Sequence, residues 1–136
     1  MDRDEGGLES ALEELASSTS KLTGISCSFV TSGLVPALNS APAIHLFRIA
    51  QEAVSNALKH GQGKSVVIAL DTGEGICSLR VSDDGIGFQP SSGEGTGLAG
   101  INDRLAVFGG DAQVTSEPGK GTVVGGRIPL SAAVPA

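Results

Sequence analysis

Residues Arg48–Gly61 read RIAQEAVSNALKHG, and the spacing inside that stretch decides what the chain around it must build. Leu46, Ala50, Ala53, Val54, Ala57 and Leu58 recur at helical intervals, an apolar stripe that needs a sheet to face. Ile49, Glu52, Asn56, Lys59 and His60 fall on an adjacent face. Glu52 and Asn56 are four apart and Lys59 and His60 follow one turn later, so their side chains point one way. Any one of these polar residues alone would read as part of a solvated face. Asn is a mediocre helix former, however, and an Asn one turn after a Glu on so apolar a helix needs a reason. An amide oxygen beside a carboxylate is hard-oxygen ligation suited to Mg²⁺, and Lys59 and His60 bring positive charge for phosphates. Ser40 caps this helix, Pro42 sits in its first turn, and Gly61 ends it after His60.

Working outward, Leu8, Ala11, Leu12, Leu15, Ala16 and Leu22 predict an earlier amphipathic helix that Gly24 terminates. Ile25–Val30 (ISCSFV) alternates apolar and polar residues as a half-buried strand does. Ser65–Leu70 and Ile76–Ser82 are strands flanking Asp71–Gly75, a hairpin signal. A glycine-rich loop from Asp83 to Thr96 leads to a third helix from about Gly97 to Phe108, closed by Gly109 and Gly110. Ala112–Ser116 and Thr122–Pro129 form a second hairpin around Glu117–Gly121. The order αβα–ββ–α–ββ predicts an α/β (α+β) two-layer sandwich: a mixed, mostly antiparallel sheet with three helices on one face. Residues 1–7 are expected to be a disordered N-terminal segment, 8–130 one domain, and 131–136 a tail.

Composition narrows the function classes. With 136 residues, the chain suffices for one ordinary domain. Its formal charge of −6, with nine Lys and Arg against 15 Asp and Glu, argues against direct nucleic-acid binding. There is no Trp or Tyr and only four Phe, so no platform for stacking single-stranded bases. Any purine must be held by aliphatic walls and hydrogen bonds. The longest apolar run is Val66–Leu70, far short of the roughly 20 residues that span a bilayer. No basic-then-apolar leader opens the chain. The expectation is a cytoplasmic domain without membrane contact, the full-length protein anchoring, if at all, through other segments. Cys27 and Cys77 are too few for a disulfide scaffold and read as small core residues.

Two further motifs carry chemistry. Ser82–Phe88 (SDDGIGF) ends a strand with Asp83, and Gly85 and Gly87 leave backbone exposed beside its carboxylate. Such a carboxylate can accept a hydrogen bond from an exocyclic amine; alone, the motif could equally be an ordinary Asp-Gly turn. Gly95–Gly100 (GTGLAG) has the form of a dinucleotide-binding fingerprint, but that motif must directly follow a strand within a βαβ unit, and this one follows a loop. What survives is a glycine loop feeding a helix N-terminus, whose free N–H groups favour phosphate. Gly63-Lys64-Ser65 is no phosphate loop, because Leu58 stands where the first glycine is needed. Gln89–Thr96 has no apolar anchor and is expected to act as a mobile lid.

Taken in order, E-x-x-x-N-x-x-K-H on a helix, D-x-G-x-G after a strand and G-x-G-L-x-G opening a helix resemble the GHKL ATPase superfamily, which includes DNA gyrase B, MutL and the sensor histidine kinases. RIAQEAVSNALKHG, DDGIGF, GLAGINDRLAVFGG and SEPGKGTVVGGRIPL are most similar to histidine kinases of the nitrate-sensor and desaturase-sensor type. The resemblance spans Leu8 to Leu130 and implies the Bergerat ATP-binding fold, with ATP as substrate and Mg²⁺ as cofactor. It implies that Asn56 ligates Mg²⁺ and that Glu52 belongs to the catalytic metal and water network. Lys59 and His60 would contact phosphates or ribose, and Asp83 the adenine amino group, with Gly85 and Gly87 permitting close approach. Gly95 and Gly97 would hinge the lid, while amides around Leu98 and Gly100 hold phosphate. Thr122 matches a threonine that supports the adenine-side hydrogen bonds. Ile86, Leu98 and Ile101 are candidates for the aliphatic wall, with core packing the equal alternative for each.

The resemblance further implies transfer of the γ-phosphate to a His on a dimerization domain absent from this chain, and relay to a response regulator of the LuxR-type DNA-binding class. Of the two histidines, His60 lies in the helix motif and His45 lacks the acid-flanked setting of an acceptor. Two alternatives stay open: an anti-sigma factor serine kinase of the same superfamily, and a non-catalytic nucleotide-binding module.

Overall fold

The computed structural model describes residues 7–32, 40–58, 65–84, 105–116 and 121–130. Helix α1 (Gly7–Thr23) lays Leu8, Leu12, Ala16 and Thr19 into the core. Gly24 ends it in a left-handed conformation (φ 77°), donating its N–H to the Ser20 carbonyl at 2.9 Å. The Ser20 hydroxyl then grips the next element: it accepts from the Cys27 N–H at 2.8 Å and donates to the Cys27 carbonyl at 3.1 Å. Cys27 lies in β1 (Ser26–Ser32), so one side chain fixes the angle between helix and strand.

Helix α2 (Ser40–Asn56) begins at Ser40 and buries Pro42 in its first turn. The remaining strands are β2 (Ser65–Gly73), β3 (Ile76–Asp83), β4 (Asp111–Ser116) and β5 (Thr122–Pro129). They form one mixed sheet in the order β1-β2-β3-β5-β4. β1 runs parallel to β2, and the other neighbours are antiparallel. The α/β two-layer expectation is met, and among the described residues the sheet carries two helices rather than three. Residues 97–104 of the expected third helix lie outside the described residues, and only Leu105 and Ala106 are seen wound as helix before the Phe108–Gly109 turn.

Strand alternation produces the two faces. Val66, Ile68 and Leu70, Cys77, Leu79 and Val81, and Val124 and Ile128 are buried beneath the helices. The intervening Ser78, Arg80, Val123, Gly125, Arg127, Asp111, Gln113 and Thr115 line a shallow groove on the open face. There Arg127 donates from Nε to Asp111 Oδ1 at 3.2 Å and from Nη2 to Oδ2 at 3.1 Å. This fork holds the Asp111 carboxyl below its ordinary pKa, chiefly through the hydrogen bond from Arg127.

The β2–β3 connection is tighter than the five-residue turn expected from sequence. Gly73 pairs with Ile76, so the loop is only Glu74-Gly75, with φ of 54° and 78°. Positive φ at both positions is the type I′ geometry whose twist matches a hairpin. Other side chains also differ from expectation. Leu22 is 85% exposed, and Thr19 takes the buried position one turn earlier. Ile49, expected on the polar side of α2, is fully buried, while Leu58 is 37% exposed.

The reason for Ile49 is Gly126. A Cβ on Gly126 would stand 2.6 Å from Ile49 Cδ1 and 3.4 Å from both Leu46 Cδ2 and Leu105 Cδ1. The bare backbone at Gly126 is therefore the socket into which α2 is seated. We expect Gly126→Val to lower stability by about 1–3 kcal/mol through overpacking, read by urea unfolding. Gly125→Ala, whose Cβ would meet nothing nearer than the Leu79 carbonyl at 3.6 Å, should fall within about 0.5 kcal/mol of the parent.

Both cysteines are free and buried, as expected. Burial pushes the Cys77 thiol from 9.0 to about 11, with the Asp71 charge adding to the shift, and burial raises Cys27 as well. Protons are thus held more tightly in the folded chain than in the unfolded one. This contribution to stability is present below pH 9.0 and is lost as pH rises through about 11. A denaturant series from pH 8 to 11 should show that decline, and Cys77→Ala should flatten it. At pH 8 a disulfide reagent should label neither thiol of the folded protein.

Candidate nucleotide site

The polar residues of α2 fall where the helical spacing puts them. Glu52 and Asn56 are both half-buried, beside the buried Ala53, Val54 and Ala57. Among the described residues neither side chain is engaged in a hydrogen bond or ion pair. Ala57 and Leu58 continue the helix in a wider π-type turn, a local unwinding frequent at functional sites. Lys59 and His60 lie outside the described residues. An amide oxygen and a carboxylate oxygen one turn apart suit Mg²⁺, which takes few protein ligands and keeps waters and phosphate oxygens for the rest. No cluster of three or more His, Cys, Asp or Glu residues that could hold a metal ion occurs among the described residues, which excludes a cage of that kind there.

Asp83 is the last residue of β3, the middle strand of the sheet. It pairs with Val66 of β2 on one side and Thr122 of β5 on the other. Residues 77, 79 and 81 of β3 and 124 and 128 of β5 face the helices, so alternation puts Asp83 and Thr122 on that face, side by side. The expected adenine-side pair is thus adjacent, on the layer that α2 covers. Both residues make further interactions. Only residues 59–64 separate Leu58 from Ser65, so the chain leaving α2 enters the sheet at the end where Asp83 stands. Gly85, Gly87, Gly95, Gly97, Leu98 and Gly100, with the expected lid at 89–96, lie outside the described residues.

Two residues that the sequence reading passed over hold this end together. Asp84 accepts from the Ser65 N–H at 3.0 Å through Oδ1 and from the Ser65 hydroxyl at 3.3 Å through Oδ2. Its own N–H donates to the Ser65 carbonyl at 3.3 Å. On the opposite side Gly121, at φ 83°, lies so close that a Cβ there would collide with the Asp83 carbonyl oxygen and approach Asp84 Cα to 3.3 Å. The signals were the doubled acid in SDDG and the second glycine of PGKG, but each looked like turn chemistry. His45, already doubtful as an acceptor, packs its ring 5.7 Å from that of Phe108, with Nδ1 buried and without a partner.

The profile of the histidine kinase-, DNA gyrase B-, and HSP90-like ATPases matches residues 41–132, from the first turn of α2 past the end of β5. The chain belongs to this ATPase family. Within it, the oxygen sensor histidine kinase NreB of Staphylococcus carnosus is 30% identical over 131 residues, which cover 94% of this chain and 38% of NreB. The histidine-protein kinase/phosphatase DegS of Bacillus subtilis is 33% identical over 93 residues, 65% of this chain and 24% of DegS. The crystal structure of full-length ShkA in complex with AMPPNP superimposes with a TM-score of 0.74 at 25% identity, over 100% of this chain and 31% of ShkA. The chain therefore spans well under half the length of these relatives. Its sheet, with α1 and α2 on one face, is shared with the histidine kinase domain of the Erythrobacter litoralis EL346 blue-light activated histidine kinase, at a TM-score of 0.69 and 25% identity over 92% of this chain and 62% of that domain.

The close approach at Gly121 makes a specific demand on sequence. Gly121→Ala would put a side chain in a left-handed backbone conformation and against the Asp83 carbonyl. We expect it to cost about 1–3 kcal/mol in unfolding free energy and to disturb the amide shifts of Asp83 and Thr122 first.

Proposed function

We propose that this chain is the ATP-binding catalytic domain of a sensor histidine kinase, a soluble cytoplasmic unit covering residues 8–130. The observation that carries the reading is the pairing of Asp83 with Thr122 on the sheet face covered by the helix that bears Glu52 and Asn56. Family membership over residues 41–132 supports it. Among the described residues no helix is long and apolar enough to cross a membrane.

In this reading ATP binds with its adenine amine donating to Asp83, a contact supported from Thr122. Asn56 holds Mg²⁺, which offsets the negative charge of the phosphates, while Glu52 orders the surrounding water. Lys59 and His60, Gly85 and Gly87, and the Gly95–Gly100 segment complete the contacts that the motifs imply. Phosphoryl transfer needs an in-line nucleophile more than any covalent help from the domain. That nucleophile is a histidine of the kinase's dimerization domain, and the phosphate passes on to a response regulator of the LuxR-type class.

The test is incubation with γ-labelled ATP, alone and with cognate dimerization helices added in trans. We expect no label on this chain alone and acid-labile label on a histidine of the added helices. Acid-stable label on an added partner would establish the serine-kinase alternative instead, and label on His45 or His60 would overturn the assignment. The metal assignment has its own check by calorimetry. Asn56→Ala should weaken nucleotide binding about tenfold or more in Mg²⁺ and much less in chelator, because it removes a hard-cation ligand.

A further inference from the structure

The peptide unit between Asp83 and Asp84 is gripped from both sides. From β2, Ser65 makes three hydrogen bonds to Asp84, two to its carboxylate and one from its N–H. Immediately before β5, Gly121 lies against the Asp83 carbonyl. A strand end would ordinarily fray here, since beyond Asp83 a single long backbone bond, from the Asp84 N–H to the Ser65 carbonyl at 3.3 Å, continues the ladder. The side chain of Asp84 is exposed, so it adds no buried packing of its own. Its carboxylate instead adds two side-chain bonds to that last rung of the β2–β3 ladder.

We propose that Asp84 is a positioning residue for base recognition: by binding Ser65 it fixes the rotation of the strand end and so aims the neighbouring Asp83 carboxylate at the adenine amine. This rests on the reading of Asp83 as the adenine acceptor. The Asp84 carboxylate is turned to Ser65 of β2, accepting from its N–H and its hydroxyl. It acts through Asp83 and not by touching ligand. Its effect therefore falls on the choice between bases more than on affinity for phosphate.

The experiment measures ADP and GDP affinities by calorimetry for the parent, Asp83→Ala, Asp84→Ala and Asp84→Asn, with the melting temperature of each. The parent should prefer ADP by about tenfold or more, since GDP presents a carbonyl to Asp83 and leaves two acceptors opposed. Asp84→Ala should shrink that preference at least about fivefold while changing the melting temperature little. Asp84→Asn keeps an oxygen for the Ser65 N–H without the charge, and should hold the preference within about twofold. Discrimination lost in Asp83→Ala but intact in Asp84→Ala would overturn the positioning role alone. Asp84→Asn behaving as Asp84→Ala would also overturn it, because charge and not aim would then be the cause. A parent with no preference would overturn the adenine reading itself, and this proposal with it.

Discussion

The molecule depends on one contact, the seating of α2 on β5 where Gly126 leaves no side chain. Ile49 Cδ1 would lie 2.6 Å from a Cβ at that position, and Leu46 and Leu105 close around it. The helix that carries Glu52 and Asn56 can come this near the sheet only because the strand is bare there. Its depth and rotation then follow from close packing, which resists even a single added methyl group. Ile49 is drawn inward by the same fit, leaving Glu52 and Asn56 to border the buried stripe.

A second constraint acts at the end of the sheet. Asp83 terminates the central strand, and its backbone end is flanked in two ways: hydrogen bonds from Ser65 of β2 to Asp84, and steric closeness at Gly121, just before β5. A carboxylate at a strand end is useful for recognition only if its direction is set. The candidate site thus joins a helix seated on β5 at Gly126 with the end of β3 at Asp83, both on the same sheet face.

The open face has different chemistry. Its Arg127–Asp111 fork lies in solvent, with side chains 53% and 42% exposed. Exposed pairs of this kind contribute little to stability. The groove between β3, β5 and β4 lies on this side, across the sheet from Asp83. One-sided burial explains the alternation along β3 and the concentration of candidate binding residues on the helical side.

Much was legible in local sequence. Local sequence placed α1 and α2, the start of α2 at Ser40 and the stop of α1 at Gly24, and β5 was read with its observed bounds, because these features depend on residues close in the chain. The spacing of Glu52 and Asn56 put them on one helix face for the same reason. The order of the motifs resembled one family strongly enough to predict the fold. What local sequence did not contain was the pairing of distant segments. The parallel union of β1 with β2, the insertion of β5 between β3 and β4, and the opposition of Asp83 to Thr122 join residues far apart in sequence. Gly126 as a socket, Gly121 as a close neighbour and Asp84 as a staple follow from those pairings. A glycine or an acid in a turn looks alike in sequence whatever stands against it; only the packed sheet decides which one another strand must touch.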